Sequence, residues 1–236
     1  MTKITPVMKT ILPLLIASAT LSQAQTAPAK VTTAGNYSVS VDKYEIVRDS
    51  DDFDGMSLGA KARVADNLNA VFSWADVSSD TFTLNAGDPD VELEVSRISL
   101  GAEYNLSAGA GDVILSLAYA QTSAESEVGV IGDAFENNQF VVGARYEQKL
   151  VGDFSFGLSA THFINDFSVE GPFAADPDLN NALINRYEDS TTSFGVTLAY
   201  TPTRLLTFHL TYATEDALLG LANADNTISF GVRANF

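Results

Sequence analysis

The sequence predicts an all-β protein: a closed, antiparallel, up-and-down transmembrane β-barrel of about ten strands, preceded by a cleaved signal peptide. Three observations predict it. The first is strict alternation, clearest at the end of the chain. There Ile228, Phe230, Val232, Ala234 and Phe236 are separated by Ser229, Gly231, Arg233 and Asn235, the period of two of a strand with one apolar and one polar face. The second is a phrase that returns five times: SLGAKA, SLGAEY, VVGARY, SFGVTL and SFGVRA. The third is a set of connections that are short at one end of the strands and long at the other.

Composition narrows the class. The chain has 236 residues and no cysteine, which excludes disulfides and thiolate metal sites. Its 30 Asp and Glu against 13 Lys and Arg argue against a nucleic-acid partner. No apolar run reaches the ~18 residues that a membrane-spanning helix requires.

The elements follow in order. Residues 1–24 read as the signal peptide: Lys3 and Lys9, a short apolar core over 11–21, then Ser22-Gln23-Ala24 as the cleavage site. Residues 25–35 read as a flexible lead-in, and residues 36–236 as the barrel domain. The first strand, 36–47, is the least regular, because its apolar face changes near Asp42. The phrase glycines Gly59, Gly101, Gly143, Gly195 and Gly231 are 42, 42, 52 and 36 residues apart, a spacing that fits one hairpin plus a loop. Between the phrases run partner strands: Leu68, Ala70, Phe72 and Trp74; Val113, Leu115, Leu117 and Tyr119; Phe156, Leu158, Ala160 and His162; Leu206, Phe208, Leu210 and Tyr212. Five hairpins give ten strands, with no helix expected beyond the signal. The tight turns are 65–67, 107–111, 149–153 and 201–203; the long connections are 48–55, 78–90, 121–137, 164–190 and 214–225. An even strand number puts both termini at the short-turn end, which in such barrels is the periplasm.

The outward faces carry aromatic residues at both ends. Tyr104, Tyr146, Phe154, Tyr200 and Phe236 fall near the turns, and Trp74, Tyr119, Phe140, Phe194 and Tyr212 near the loops. Two girdles suit rings that sit at membrane–water boundaries.

On these features the mature chain resembles the small, single-chain, porin-like outer-membrane β-barrels of Gram-negative bacteria. The resemblance implies an outer-membrane location with periplasmic termini, contact with outer-membrane lipid and lipopolysaccharide, and recognition by the barrel-assembly machinery. The assembly signal would be carried by Phe230, Val232 and Phe236. No cofactor is implied, and the oligomeric state is left open.

If the apolar faces meet lipid, the intervening residues line a lumen. The phrase glycines lie there, where a missing side chain eases closure of a narrow sheet. The same face carries a charge cluster: Lys61, Arg63, Arg97, Glu103, Arg145, Glu147, His209 and Arg233. Charges there must be wet or paired, and a ten-stranded barrel should be largely filled by side chains. Three functions stay open: a narrow pore for small solutes or ions, a closed structural or surface-interaction barrel, and an enzyme of the same membrane. The enzyme is the least supported, because THFIND, residues 161–166, offers His162 no nearby serine and His209 faces mid-lumen. No catalytic residue is assigned.

The long connections hold most of the acids and are read as a solvated rim that attracts cations. DSDDFDG, residues 49–55, is no calcium loop: with Gly55 at the invariant glycine, the final ligand position falls on Lys61, not on a glutamate. Weak binding of divalent cations outside any motif, bridging to anionic surface lipid, is the expectation, with no dedicated metal site. GAGD at 109–112 lies between strands, with no helix to receive a phosphate.

Overall fold

The computed structural model describes residues 36–48, 51–84 and 88–236. The signal peptide and lead-in expected over 1–35 lie outside these residues.

Twelve strands occur among the described residues. They are β1 (Tyr37–Val47), β2 (Phe53–Ala65), β3 (Leu68–Ser79), β4 (Phe82–Thr83), β5 (Asp90–Val91), β6 (Leu93–Ala108), β7 (Gly111–Ser126), β8 (Gly132–Lys149), β9 (Phe154–Val169), β10 (Thr191–Thr203), β11 (Leu206–Thr214) and β12 (Asn226–Asn235). Ten close into one antiparallel barrel, in the order β1-β12-β11-β10-β9-β8-β7-β6-β3-β2, and β4 and β5 form a small separate ribbon. Sequential strands are neighbours throughout, as in a meander. The barrel closes where β1 meets β12, and the seam runs to the last residue: the Phe236 N–H donates to the Tyr37 carbonyl at 2.8 Å.

Two expectations change. Helices exist beyond the signal: α1 (Gly171–Ala175) and α2 (Pro177–Tyr187) fill the fourth long connection. The Asp176 carboxylate caps α2 by accepting from the Asp178 and Leu179 amides, Pro177 supplies the preset first-turn φ, and Leu179, Leu183 and Tyr187 put one face into the core. The strands are also longer than expected. Residues 121–126 and 132–137, read as loop, continue β7 and β8.

The extra length has a physical signature. β8 has 18 residues, which at ~3.3 Å each and a tilt of ~40° rise about 45 Å, well above an apolar band of ~25 Å. Where the wall leaves the band, the alternation keeps its period and inverts its phase. On β6, Ile98 and Leu100 face out and are exposed, while above them Leu93 and Val95 face in and are buried. On β1, Val39 and Val41 face out, and Ile46 faces in with no exposure. The outward positions of the upper wall are taken by Asp76, Glu94, Glu125, Glu136 and Asp166. The lower barrel is apolar outside and polar inside, as lipid demands. The upper barrel is polar outside and apolar inside, as water demands.

The inverted zone encloses the main apolar core. Ile46, Phe53, Val77, Leu93, Val95 and Phe135 from the wall pack with Phe173, Leu179, Leu183 and Tyr187 from the helices and with Leu218, Leu219 and Leu221 from the last long connection. This core is a cap across the loop end. β11 has only 9 residues, so the wall is low beside β10–β12, and residues 215–225 fold inward from that low side.

Candidate functional site: a capped polar lumen

Below the cap the lumen is polar. At the turn end, Lys61 Nζ lies 3.1 Å from Glu103 Oε2, Arg145 3.9 Å from Glu103 Oε1 and 2.9 Å from Glu147 Oε1. The network links β2, β6 and β8 around the inner wall. Arg233 lines the same space, and Arg63 lies further toward the turn on β2, half-buried. The Glu147 side chain is 43% exposed although it points inward, so water reaches this level from the turn end.

Glu103, Arg145, Glu147 and Arg233 form the lower wall of a chamber of about 290 Å³. Its wall is rich in hydroxyls, including Ser159, Thr161, Ser193, Thr197 and Thr211, with Tyr44 as its aromatic residue. His209 Nε2 hydrogen-bonds Asp42 Oδ1 across β12. The residue between them is Gly231, in register with Asp42 on one side and His209 on the other. A Cβ on Gly231 would collide with the Asp42 carboxylate and meet His209 Nε2 at 2.6 Å. The glycine is the gap that lets the pair form. Gly195 is similar: a Cβ there would lie 2.6 Å from Ser159 Oγ.

The expected charge cluster is therefore divided. Lys61, Glu103, Arg145, Glu147 and Arg233 come together near the turns. Arg97 sits higher, buried, donating through Nε to Gln139 Oε1 at 3.1 Å and lying 6.0 Å from the Phe163 ring centroid. His209 is in the lumen as expected, and its partner Asp42 was missed. The signal was available: Ser38, Ser40, Asp42 and Tyr44 form one face of β1, and a glycine separates Asp42 from His209 in the sheet. His162 faces outward, bonded through Nδ1 to Thr192 Oγ1 at 2.9 Å.

Two ion pairs hold the cap, one fully and one partly buried. Arg186 forks onto Asp51, with Nε to Oδ2 at 3.0 Å and NH2 to Oδ1 at 2.7 Å, and the Tyr187 hydroxyl donates to the same carboxylate. Burial, which acts to lower the Arg186 pKa, is outweighed by the Asp51 bond and charge, so it stands raised. Burial, then the Asp51 charge, pushes the Tyr187 phenol well above its ordinary value. The second pair is Arg48 NH2 to Asp216 Oδ2 at 3.2 Å, both side chains almost fully buried. Asp216 also accepts from the Leu218, Leu219 and Leu221 amides at 3.0, 2.7 and 3.3 Å, and Arg48 donates to the Leu221 and Ala222 carbonyls. The wall adds Gln139 to the Leu219 carbonyl and Asn165 to the Gly220 carbonyl. The expectation of an evenly solvated acidic rim thus fails at Asp51 and Asp216, which are buried latches. Their signals were Arg48 and Arg186, bases within otherwise acidic connections, and the apolar run ALLGLA after Glu215-Asp216. Among the described residues no group of His, Asp and Glu is placed to hold a metal ion.

A closed ten-strand sheet with a lipid-compatible outer belt and a polar interior defines the class: the chain has the fold of outer-membrane β-barrels. A solved structure agrees at the level of the fold. An outer-membrane channel from Pseudomonas putida F1 aligns with a TM-score of 0.50 over 90% of this chain and 100% of that one, at 11% identity. The translocator domain of the autotransporter NalP from Neisseria meningitidis aligns with a TM-score of 0.49 over 97% and 96% of the two chains, at 10% identity. No protein-family model matches the sequence, and no curated protein matches it.

Proposed function

We propose that this protein is a Gram-negative outer-membrane barrel of porin-like type whose resident state is closed at the loop end and open to water at the turn end, with both termini in the periplasm. The observation that carries this reading is the apolar cap over a polar chamber. A structural barrel without a transport role would not need the chamber. A constitutive pore would not bury Leu219, Leu221 and Tyr187 across its mouth. The outward, exposed Phe230 and Phe236 fit an assembly signal read on the lipid face of the last strand, with Val232 between them. Lipid and lipopolysaccharide are the expected surroundings of the belt and upper wall.

Recording from refolded protein in planar bilayers tests the closed state. The expected result is a quiet membrane, with folding verified by heat-modifiable migration. Long-lived conductance steps from the unaltered chain would overturn it.

A further inference from the structure

We infer that residues 215–225 are a displaceable plug, and that their withdrawal opens the barrel to small hydrophilic solutes along a path lined by Arg97, Thr122, Asn137, Gln139 and Asn165. The inference rests on the closed reading above and adds to it an open state with its own conducting wall.

Three observations carry it. The segment is not part of the sheet. It hangs between β11 and β12, and its polar attachments are mainly side-chain bonds, from Arg48 to Asp216, Gln139 to Leu219 and Asn165 to Gly220 on the wall and from Asn223 Nδ2 to the Arg186 carbonyl of α2 at 2.8 Å, while Leu218, Leu219 and Leu221 pack in the cap core. The backbone bond from Asp225 to the Val47 carbonyl ties its end. Such a piece can leave without breaking a strand ladder.

The wall behind it is written for water. Arg97, Thr122 and Asn137 stand side by side in register on β6, β7 and β8, all facing in. Thr122 and Asn137 have no exposure, yet Thr122 Oγ1 and both polar atoms of the Asn137 amide lack a protein hydrogen-bond partner. An unpaired buried amide is penalised. A permanently filled barrel would place apolar residues at these positions, as it does at Val95 and Phe135 just above. With the plug withdrawn, the same groups face solvent and the penalty vanishes.

The path also continues. Directly below lies the 290 Å³ chamber, reached by Ala217 of the plug at its upper end and by Arg145, Glu147 and Arg233 lower down. Plug, polar wall, chamber and turn-end opening form one sequence of spaces, and the plug is the part of the cap that borders the chamber directly, through Ala217.

The register supplies the experiment, because Thr214 pairs directly with Asn226. Replacing residues 215–225 by a two-residue Asn-Gly turn joins β11 to β12 as an ordinary hairpin. In KCl, this shortened chain should show sustained conductance steps where the full chain is quiet. The natural absence of cysteine permits a second readout on the full chain. Asn137→Cys should react slowly with a membrane-impermeant thiol reagent, and adding Asp216→Asn should speed that reaction by about a hundredfold or more, since a buried charge is left without its partner. A folded, heat-modifiable shortened barrel that stays silent would overturn the inference. So would a labelling rate that Asp216→Asn leaves unchanged, which decides the matter should the shortened chain not fold. Steady conductance from the unaltered chain would instead sink the closed reading.

Discussion

At the scale of single residues, the lumen is arranged around what glycine omits. The five phrase glycines look alike in the sequence, yet the structure gives Gly231 a particular task, because the Asp42–His209 bond crosses the space its side chain would fill. Gly231→Ala should therefore cost about 1–3 kcal/mol, the range for overfilling a packed site. Combined with His209→Ala, which removes one of the colliding atoms, the loss should be smaller than the sum of the two single losses. Urea unfolding of the four proteins in lipid vesicles measures this. Strict additivity would show that the glycine serves curvature alone.

Tyr187 is the other residue with a distinct expectation. Its phenol is buried beside Asp51, and the folded value lies well above the ordinary one near 10. The protonated form is favoured in the folded cap. That contribution is fully present below a pH of about 10 and is lost as pH rises through the raised value. The cap should thus weaken only in alkali, and Tyr187→Phe should remove one late-ionising phenol from a spectroscopic titration. An unchanged titration would contradict the buried Tyr187–Asp51 contact.

At the scale of elements, the phase inversion organises the wall. Ser96 and Leu100 lie on the same outward face of β6, four residues apart. Leu100→Arg should destabilise by about 2–4 kcal/mol, as a charge does at the middle of a lipid face, whereas Ser96→Arg should be close to neutral. Equal losses at both positions would place the lipid boundary higher than the inversion implies. This inversion is also why the sequence was readable in its lower half and misread in its upper half. Alternation announces a strand by its period, and the period is the same whichever face is apolar. With the outward face expected to be apolar, Glu125 and Glu136 read as loop, and the expected strands end short of the observed ones. β1, where both phases share one strand, showed the switch at Asp42. Helix α2 was legible too, through Asp176-Pro177 at its start and Leu179, Leu183 and Tyr187 at helical spacing. The acids around it give the same connection the composition of a solvated rim, which hides the helix. The ten-strand order and the inward direction of Lys61, Glu103 and Arg145 were readable because the period of two fixes them locally. The latches joining Arg48 to Asp216 and Asp51 to Arg186 were not. They span 168 and 135 residues, and no local pattern chooses between the many acids available to each base.

At the scale of the whole molecule, the barrel is two solvation problems stacked on one sheet. The lower part lies in lipid and keeps its charges inside, matched as Lys61–Glu103–Arg145–Glu147. The upper part lies in water, keeps its charges outside and has a core like that of a soluble domain. That core closes the mouth, and the chamber beneath it communicates with the turn end. The most direct test of this arrangement is the sidedness of access to the chamber. A single reporter, Thr197→Cys, in a chain with no other thiol, is placed in the outer membrane and exposed to an impermeant thiol reagent from one side at a time. Rapid reaction is expected when the reagent reaches the turn end, and little reaction when it is applied from the loop end. Equal reaction from both sides would contradict it and show that the apolar core does not seal the barrel.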